Sequence, residues 1–242
     1  MSQAEDKIYL FGKPKPGSFT FDENVARVFE DMISRSVPGY QQILEMLPSL
    51  SRQFRQEGAN YYDLGCSLAA GLLAVRLGLN NSSGHLIGVD TSKAMLDRAE
   101  KSLQQAHPNT WELREQDIRN SEISNAAIVL LNFTLQFIAL EDRHSVLSNI
   151  YQGLKENGVL VLSEKLKMPS ELIEQKMNDI HLQYKADQGY SELEISRKRE
   201  AIENVLIAET YETHKQRLEQ IGFSIVFPWI QNLQFISFLA IK

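Results

Sequence analysis

Asp63-Leu-Gly-Cys-Ser-Leu-Ala-Ala-Gly71 is the stretch on which the fold reading turns. It follows a short apolar and aromatic run, Asn60 to Leu64, and opens into a helical pattern from about Ala69 to Leu79. A strand, a turn of small residues and a helix in that order let backbone approach a ligand closely at the helix start. A dinucleotide fingerprint of three spaced glycines is absent, because Ser67 and Ala69 stand where further glycines would fall, and this argues against a nicotinamide cofactor.

Outward from this turn the chain alternates strand and helix. Downstream, His85 to Val89 reads as a strand, Ser92 caps a helix to about Gln105, Thr110 to Arg114 is a strand, and Ala126 to Leu131 is a continuous apolar run of the central parallel kind. Glu141 to Leu154 reads as a helix closing before Asn157-Gly158, and Val159 to Leu162 as the fifth strand. Upstream, Asp22 caps a helix whose apolar positions Val25, Val28, Phe29, Met32 and Ile33 share one face, ending before Pro38-Gly39, and a second helix spans about Gln41 to Gln56. Such alternation predicts an α/β fold with a parallel sheet covered on both faces. The rhythm breaks between about 167 and 208, a helical insertion without a strand candidate, before a helix at Tyr211 to Gln220 and a terminal hairpin of Ser224–Phe227 with Phe235–Ile241. Residues 1–20, with Gly12, Pro14, Pro16 and Gly17, read as an arm, and 21–242 as one domain.

Composition narrows the function. A net charge of −6 over 242 residues disfavours direct grip on nucleic acid, which needs a basic face. One cysteine, Cys66, cannot make an intrachain disulfide, and no apolar run approaches membrane-spanning length, so a reducing cytoplasm fits best and no membrane is expected. The five histidines are scattered without ligand spacing, so no metal is expected.

Polar groups recur at the predicted carboxyl ends of four strands, where open α/β sheets bind ligands. Gly65, Cys66 and Ser67 follow the first; Asp90, 25 residues after Gly65, closes the second and is followed by Thr91; Asp117 and Ile118 follow the third; Asn132 ends the fourth. Asp90 suits two ribose hydroxyls, Asp117 an adenine amino group with Ile118 on the ring, and Asn132 the middle of the ligand. Each also has a bland reading, Asp90 as a neighbour of the Ser92 cap and Asp117 as a solvated loop acid. The turn resembles motif I of the class I S-adenosylmethionine-dependent enzymes, which implies a Rossmann-like seven-stranded sheet and that cofactor.

Outside this core, Phe21-Asp-Glu-Asn-Val-Ala26, Arg35-Ser-Val-Pro-Gly-Tyr40, Tyr62-Asp-Leu-Gly-Cys-Ser67, Leu130-Leu-Asn-Phe-Thr-Leu-Gln-Phe137, Gly158 to Lys165, Gly189-Tyr-Ser-Glu-Leu-Glu194, Lys198-Arg199 and Glu203-Asn-Val205 resemble the carboxy-S-adenosyl-L-methionine synthases. The resemblance implies a homodimer that uses prephenate to turn S-adenosyl-L-methionine into carboxy-S-adenosyl-L-methionine, releasing phenylpyruvate, with the product passed to an enzyme that carboxymethylates wobble uridine in tRNA. It implies contacts from Tyr40, Gly65, Cys66, Ser67, Asp90, Thr91, Asp117, Ile118, Asn132 and Arg199, with Arg199 and Tyr40 serving the added carboxylate. Leu68 and Ala69 depart from the family's usual Arg-Gly after Gly-Cys-Ser, and Thr91 from a common amide. No protein base stands out, and the resemblance implies that hydroxide lost from prephenate takes the methyl proton. An ordinary methyltransferase shares the cofactor groups but has no need of Arg199 or Tyr40 at the sulfonium. A non-catalytic binding protein would have Phe133 or Phe137 filling the space above Asn132.

Overall fold

The computed structural model describes residues 5–8, 20–79, 84–105, 110–202 and 205–242. Two helices, α1 (Glu23–Ser36) and α2 (Tyr40–Phe54), precede an alternating series: β1 (Ala59–Leu64), α3 (Ala70–Leu79), β2 (Gly84–Asp90), α4 (Lys93–Gln105), β3 (Trp111–Glu115), β4 (Ala126–Asn132), α5 (Leu140–Gly153) and β5 (Leu154–Lys165). Then come α6 (Glu171–Asp187) and α7 (Glu192–Ile202), α8 (Tyr211–Ile221), β6 (Ile225–Asn232) and β7 (Phe235–Ile241). The seven strands lie in the order β3-β2-β1-β4-β5-β7-β6. All neighbours are parallel except β7, antiparallel to both β5 and β6. The order reverses between β1 and β4, so a crevice opens beyond their carboxyl ends.

Side-chain alternation along the strands builds two cores, one on each face. Tyr62, Leu64, Val129, Leu131, Leu160 and Leu162 meet α5 and α8, while Tyr61, Ile128, Leu130, Val159 and Val161 meet α2 and α3. Burying Ala126 to Leu131 on both sides explains why that run lacks a polar face. On the α2–α3 side Gly78 lets helix backbones meet, because a Cβ there would lie 2.2 Å from the Pro48 carbonyl oxygen.

The helix ends follow the expected chemistry. Asp22 accepts from the Asn24 and Val25 N–H groups, and Gly39 takes a left-handed conformation before α2. Two strands run well beyond their predicted bounds. β5 begins at Leu154, which pairs with Ala126; the register then shifts so that Ile128 meets Val159, with Asn157 at positive φ inside the irregularity. β6 runs on through Pro228 to Asn232, tolerable on a sheet edge with a register shift between Pro228 and Ile230.

The stretch read as an insertion holds α6 and α7, pinned to the end of α1. His181 Nε2 lies 2.8 Å from the Ser36 carbonyl oxygen, and Lys198 Nζ donates to Ser36 Oγ at 2.7 Å. Of the predicted arm, Gly12, Pro14, Pro16 and Gly17 lie outside the described residues. Asp6 is buried: its N–H donates to Asp31 and its carboxylate accepts from the Tyr190 hydroxyl at 2.6 Å.

Candidate active site

A cavity of about 1260 Å³ opens at the carboxyl ends of the parallel strands, floored by the sheet and roofed by α6 and α7. Its wall includes Gly65, Ser67, Asp90, Thr91, Asp117, Ile118, Asn132 and Arg199. Eight of the ten residues predicted for the site therefore converge, although they stand up to 134 positions apart in the chain.

The turn after β1 is tied down by its own backbone. The N–H groups of Gly65 and Cys66 donate to the Val89 carbonyl, and that of Ser67 donates to Asp90 Oδ2 at 2.9 Å. Three consecutive amides thus join β1 to β2 instead of standing free for a ligand. Gly65 allows close approach through its missing side chain: φ is 80°, and a Cβ would lie 2.3 Å from Thr134 Oγ1. Ser67 and Ala69 also hold positive φ. Leu68 packs on the α1 and α4 side against the cluster of Phe29, Met32 and Met95 and is not in the cavity wall, so the position that departs from the family pattern serves as a packing contact.

Asp90 accepts from Ser67 N–H and Ser92 N–H, one on each oxygen, which leaves acceptor capacity for two hydroxyls. Burial raises its pKa, and the backbone donors oppose this. Asp63, at the end of β1, is 4% exposed, and burial together with the Asp90 charge raises its carboxyl to about 7. Ile118 offers an apolar surface, whereas Asp117 caps its own turn and is ion-paired to Arg119, which reaches on to Asp142. The Arg119 contact holds the Asp117 carboxyl below its ordinary range. Asn132 Oδ1 accepts from Ser163 Oγ at 2.7 Å, which leaves the amide NH2 for the cavity.

Two predicted residues take other positions. Tyr40 packs against Phe133, ring centroids 6.4 Å apart, in the core beside the cavity and not in its wall, and burial raises its phenol pKa. Cys66 is buried beneath the turn, its thiol raised well above the ordinary value by burial and the Asp63 and Asp90 charges, which makes it a poor nucleophile. The wall also includes residues that strand-end reasoning passed over, chiefly Thr134, Lys165 and Lys185. Lys165 ends a strand, a signal that was available in the sequence, whereas Lys185 lies mid-helix and had none. Phe133 and Phe137 do not fill the cavity: Phe133 packs on Tyr40 and Phe235, and Phe137 edge-on to Phe21.

This sheet order, with a ligand cavity at the switch point, is the fold of the class I S-adenosylmethionine-dependent methyltransferases. A profile described as a methyltransferase domain matches residues 62–160. An O-methyltransferase family protein from Burkholderia thailandensis superposes with TM-score 0.66 at 16% identity, over 97% of this chain and 66% of that one. Magnesium protoporphyrin IX methyltransferase from Synechocystis PCC 6803, solved with bound SAH, superposes with TM-score 0.61 at 15% identity, over 87% of each chain. Within that class the chain belongs to the carboxy-S-adenosyl-L-methionine synthase family. It is 46% identical over 239 residues to the carboxy-S-adenosyl-L-methionine synthase of Actinobacillus pleuropneumoniae serotype 5b, spanning 98% of this chain and 99% of that protein. It is 45% identical over the full length of both chains to the synthase of Hahella chejuensis. Among the described residues no helix is long and apolar enough to cross a membrane, and no group of three metal-ligating side chains gathers.

Proposed function

We propose that the cavity binds S-adenosyl-L-methionine as a substrate along the β1, β2 and β4 ends and prephenate beneath α6 and α7, and makes carboxy-S-adenosyl-L-methionine. Asp90 would hold the ribose hydroxyls, Ile118 the adenine face, and Asn132 with the bare Gly65 backbone the middle of the molecule. The reaction balances without an outside reagent. Prephenate gives up CO2 and hydroxide to become phenylpyruvate, the CO2 joins the methyl carbon, and the displaced methyl proton leaves with the hydroxide as water. The protein's part is to position both molecules and exclude water. The observation that carries this reading is Arg199, which faces the cavity and has no ion pair among the described residues, in a chain similar end to end to these synthases. A methyl donor, whose one carboxylate is that of its methionine end, lacks the second carboxylate at the sulfonium that Arg199 would hold.

The reading extends to a homodimer in the cytoplasm whose product is consumed by an enzyme carboxymethylating tRNA wobble uridine. The net charge of −6 supports a small-molecule role over direct tRNA binding. Incubation with S-adenosyl-L-methionine and prephenate should yield phenylpyruvate and a sulfonium product heavier by one CO2. Formation of S-adenosylhomocysteine on a methyl acceptor instead would favour the methyltransferase alternative. Calorimetry of Arg199→Ala supplies a second test. Losing a two-pronged charged contact should weaken the carboxylated product about 10- to 100-fold and leave S-adenosyl-L-methionine within a few fold. Equal loss for both ligands would make Arg199 a general contact.

A further inference from the structure

Besides Arg199, the cavity wall holds two lysines, Lys165 and Lys185, that no carboxylate of the wall pairs. Lys165 ends β5 on the same face as Ser163, the residue whose hydroxyl holds Asn132. Lys185 comes down from α6, and both side chains are half-buried in the wall shared with Arg199. Neither ammonium has a hydrogen bond or ion pair among the described residues; the bond that Lys165 donates to Gln136 comes from its backbone N–H. Lys198, also in the wall, is already engaged by Ser36 Oγ and lies 4.0 Å from the Asp6 carboxylate.

Of the wall's carboxylates, Asp90 and Asp117 stand at the ends of β2 and β3, and Glu171, Glu174 and Asp179 on α6. Glu174 attracts Lys165 but is itself engaged, accepting from the Met168 N–H at 2.6 Å and the Asn178 amide at 3.1 Å. Burial, together with the neighbouring cations, holds both lysines below the ordinary range, Lys185 at about 8. Like charges gathered in a partly dry space are unfavourable until an anion enters.

We infer that Lys165 and Lys185 form a carboxylate-binding subsite, and that it takes the carboxylate which a dianionic second substrate keeps through the reaction. This rests on the two-substrate reading above. Arg199 is assigned to the carboxyl group that is transferred, so it cannot also serve the one retained, which needs cations of its own. A group charged in both ground and transition states is bound equally in each, so the pair governs substrate affinity more than the chemical step.

The test uses the full chain with prephenate as the probe. Lys165→Gln and Lys185→Gln should each raise the KM for prephenate about tenfold with kcat within about twofold. Calorimetric affinity for S-adenosylhomocysteine, which also reports folding, should be unchanged, and Lys185→Arg should restore most of the prephenate affinity. An unchanged prephenate KM, or a parallel loss of S-adenosylhomocysteine affinity, would overturn the subsite. Prephenate titrated into the S-adenosylhomocysteine complex separates this inference from the reading beneath it. Wild type that binds prephenate better than the Gln variants yet forms no phenylpyruvate would sink the reaction and keep the subsite. Turnover by wild type with variants that match it would do the reverse.

Discussion

Asp63 and Asp90 end adjacent strands, and their surroundings give them different charge behaviour. Asp90 accepts two backbone N–H bonds and faces the cavity, where an ionised carboxylate suits hydroxyl donors. Asp63 is closed in by the core and by the Asp90 charge, and its pKa stands at about 7 in the fold against about 3.9 unfolded. The folded form therefore holds the proton more tightly, and the stability this confers is complete below about pH 4 and lost as pH rises through about 7. Comparing thermal unfolding of wild type and Asp63→Asn from pH 4 to 8 isolates this group, because His181, His214 and the buried lysines titrate alike in both. The difference should move steadily in favour of Asp63→Asn as pH rises; a difference independent of pH would show that Asp63 does not ionise in this range. At this scale the sequence exposed the residue types and their strand-end positions, but not Asp63's titration, which depends on burial and on a carboxylate 27 residues away.

The turn between β1 and α3 and the roof of α6 and α7 are the two elements that shape the site, and they were unequally legible. The turn declared itself through local chemistry: a run of small residues between a strand and a helix. Its demand for glycine is nonetheless tertiary, since what a Cβ at 65 would strike is Thr134, from the loop after β4. Gly65→Ala should therefore lower stability by about 1–3 kcal/mol, since it combines a left-handed φ with a clash against the Thr134 side chain, and should abolish measurable S-adenosyl-L-methionine binding. Denaturant unfolding and calorimetry would check both; native-like values in each would mean that the loop yields freely. The roof was legible only as helix. Its attachment through Ser36, reached by His181 and Lys198 from two other helices, could not be read from any one segment.

The whole molecule presents the cavity on one side of α6 and an uncovered apolar stripe on another. Ile173 and Ile180, two turns apart, are 43% and 46% exposed, and Leu193 on α7 is 51% exposed. A second copy covering this stripe fits the proposed homodimer, and sedimentation should give twice the 27.6 kDa chain mass. The double variant Ile173→Glu, Ile180→Glu should sediment as a single chain with its circular dichroism retained; persistence of the dimer would place the interface elsewhere. The sequence by itself determined the parallel sheet, the order of its elements, the ligand turn and the strand-end carboxylates, because periodicity, capping and turn chemistry act over a few residues. Only the tertiary structure decided that Lys165 and Lys185 face one cavity, that Tyr40 stands behind Phe133 and that Asp63 is buried. Those outcomes depend on which distant segments become neighbours, and the packing that brings them together leaves no local mark on the chain.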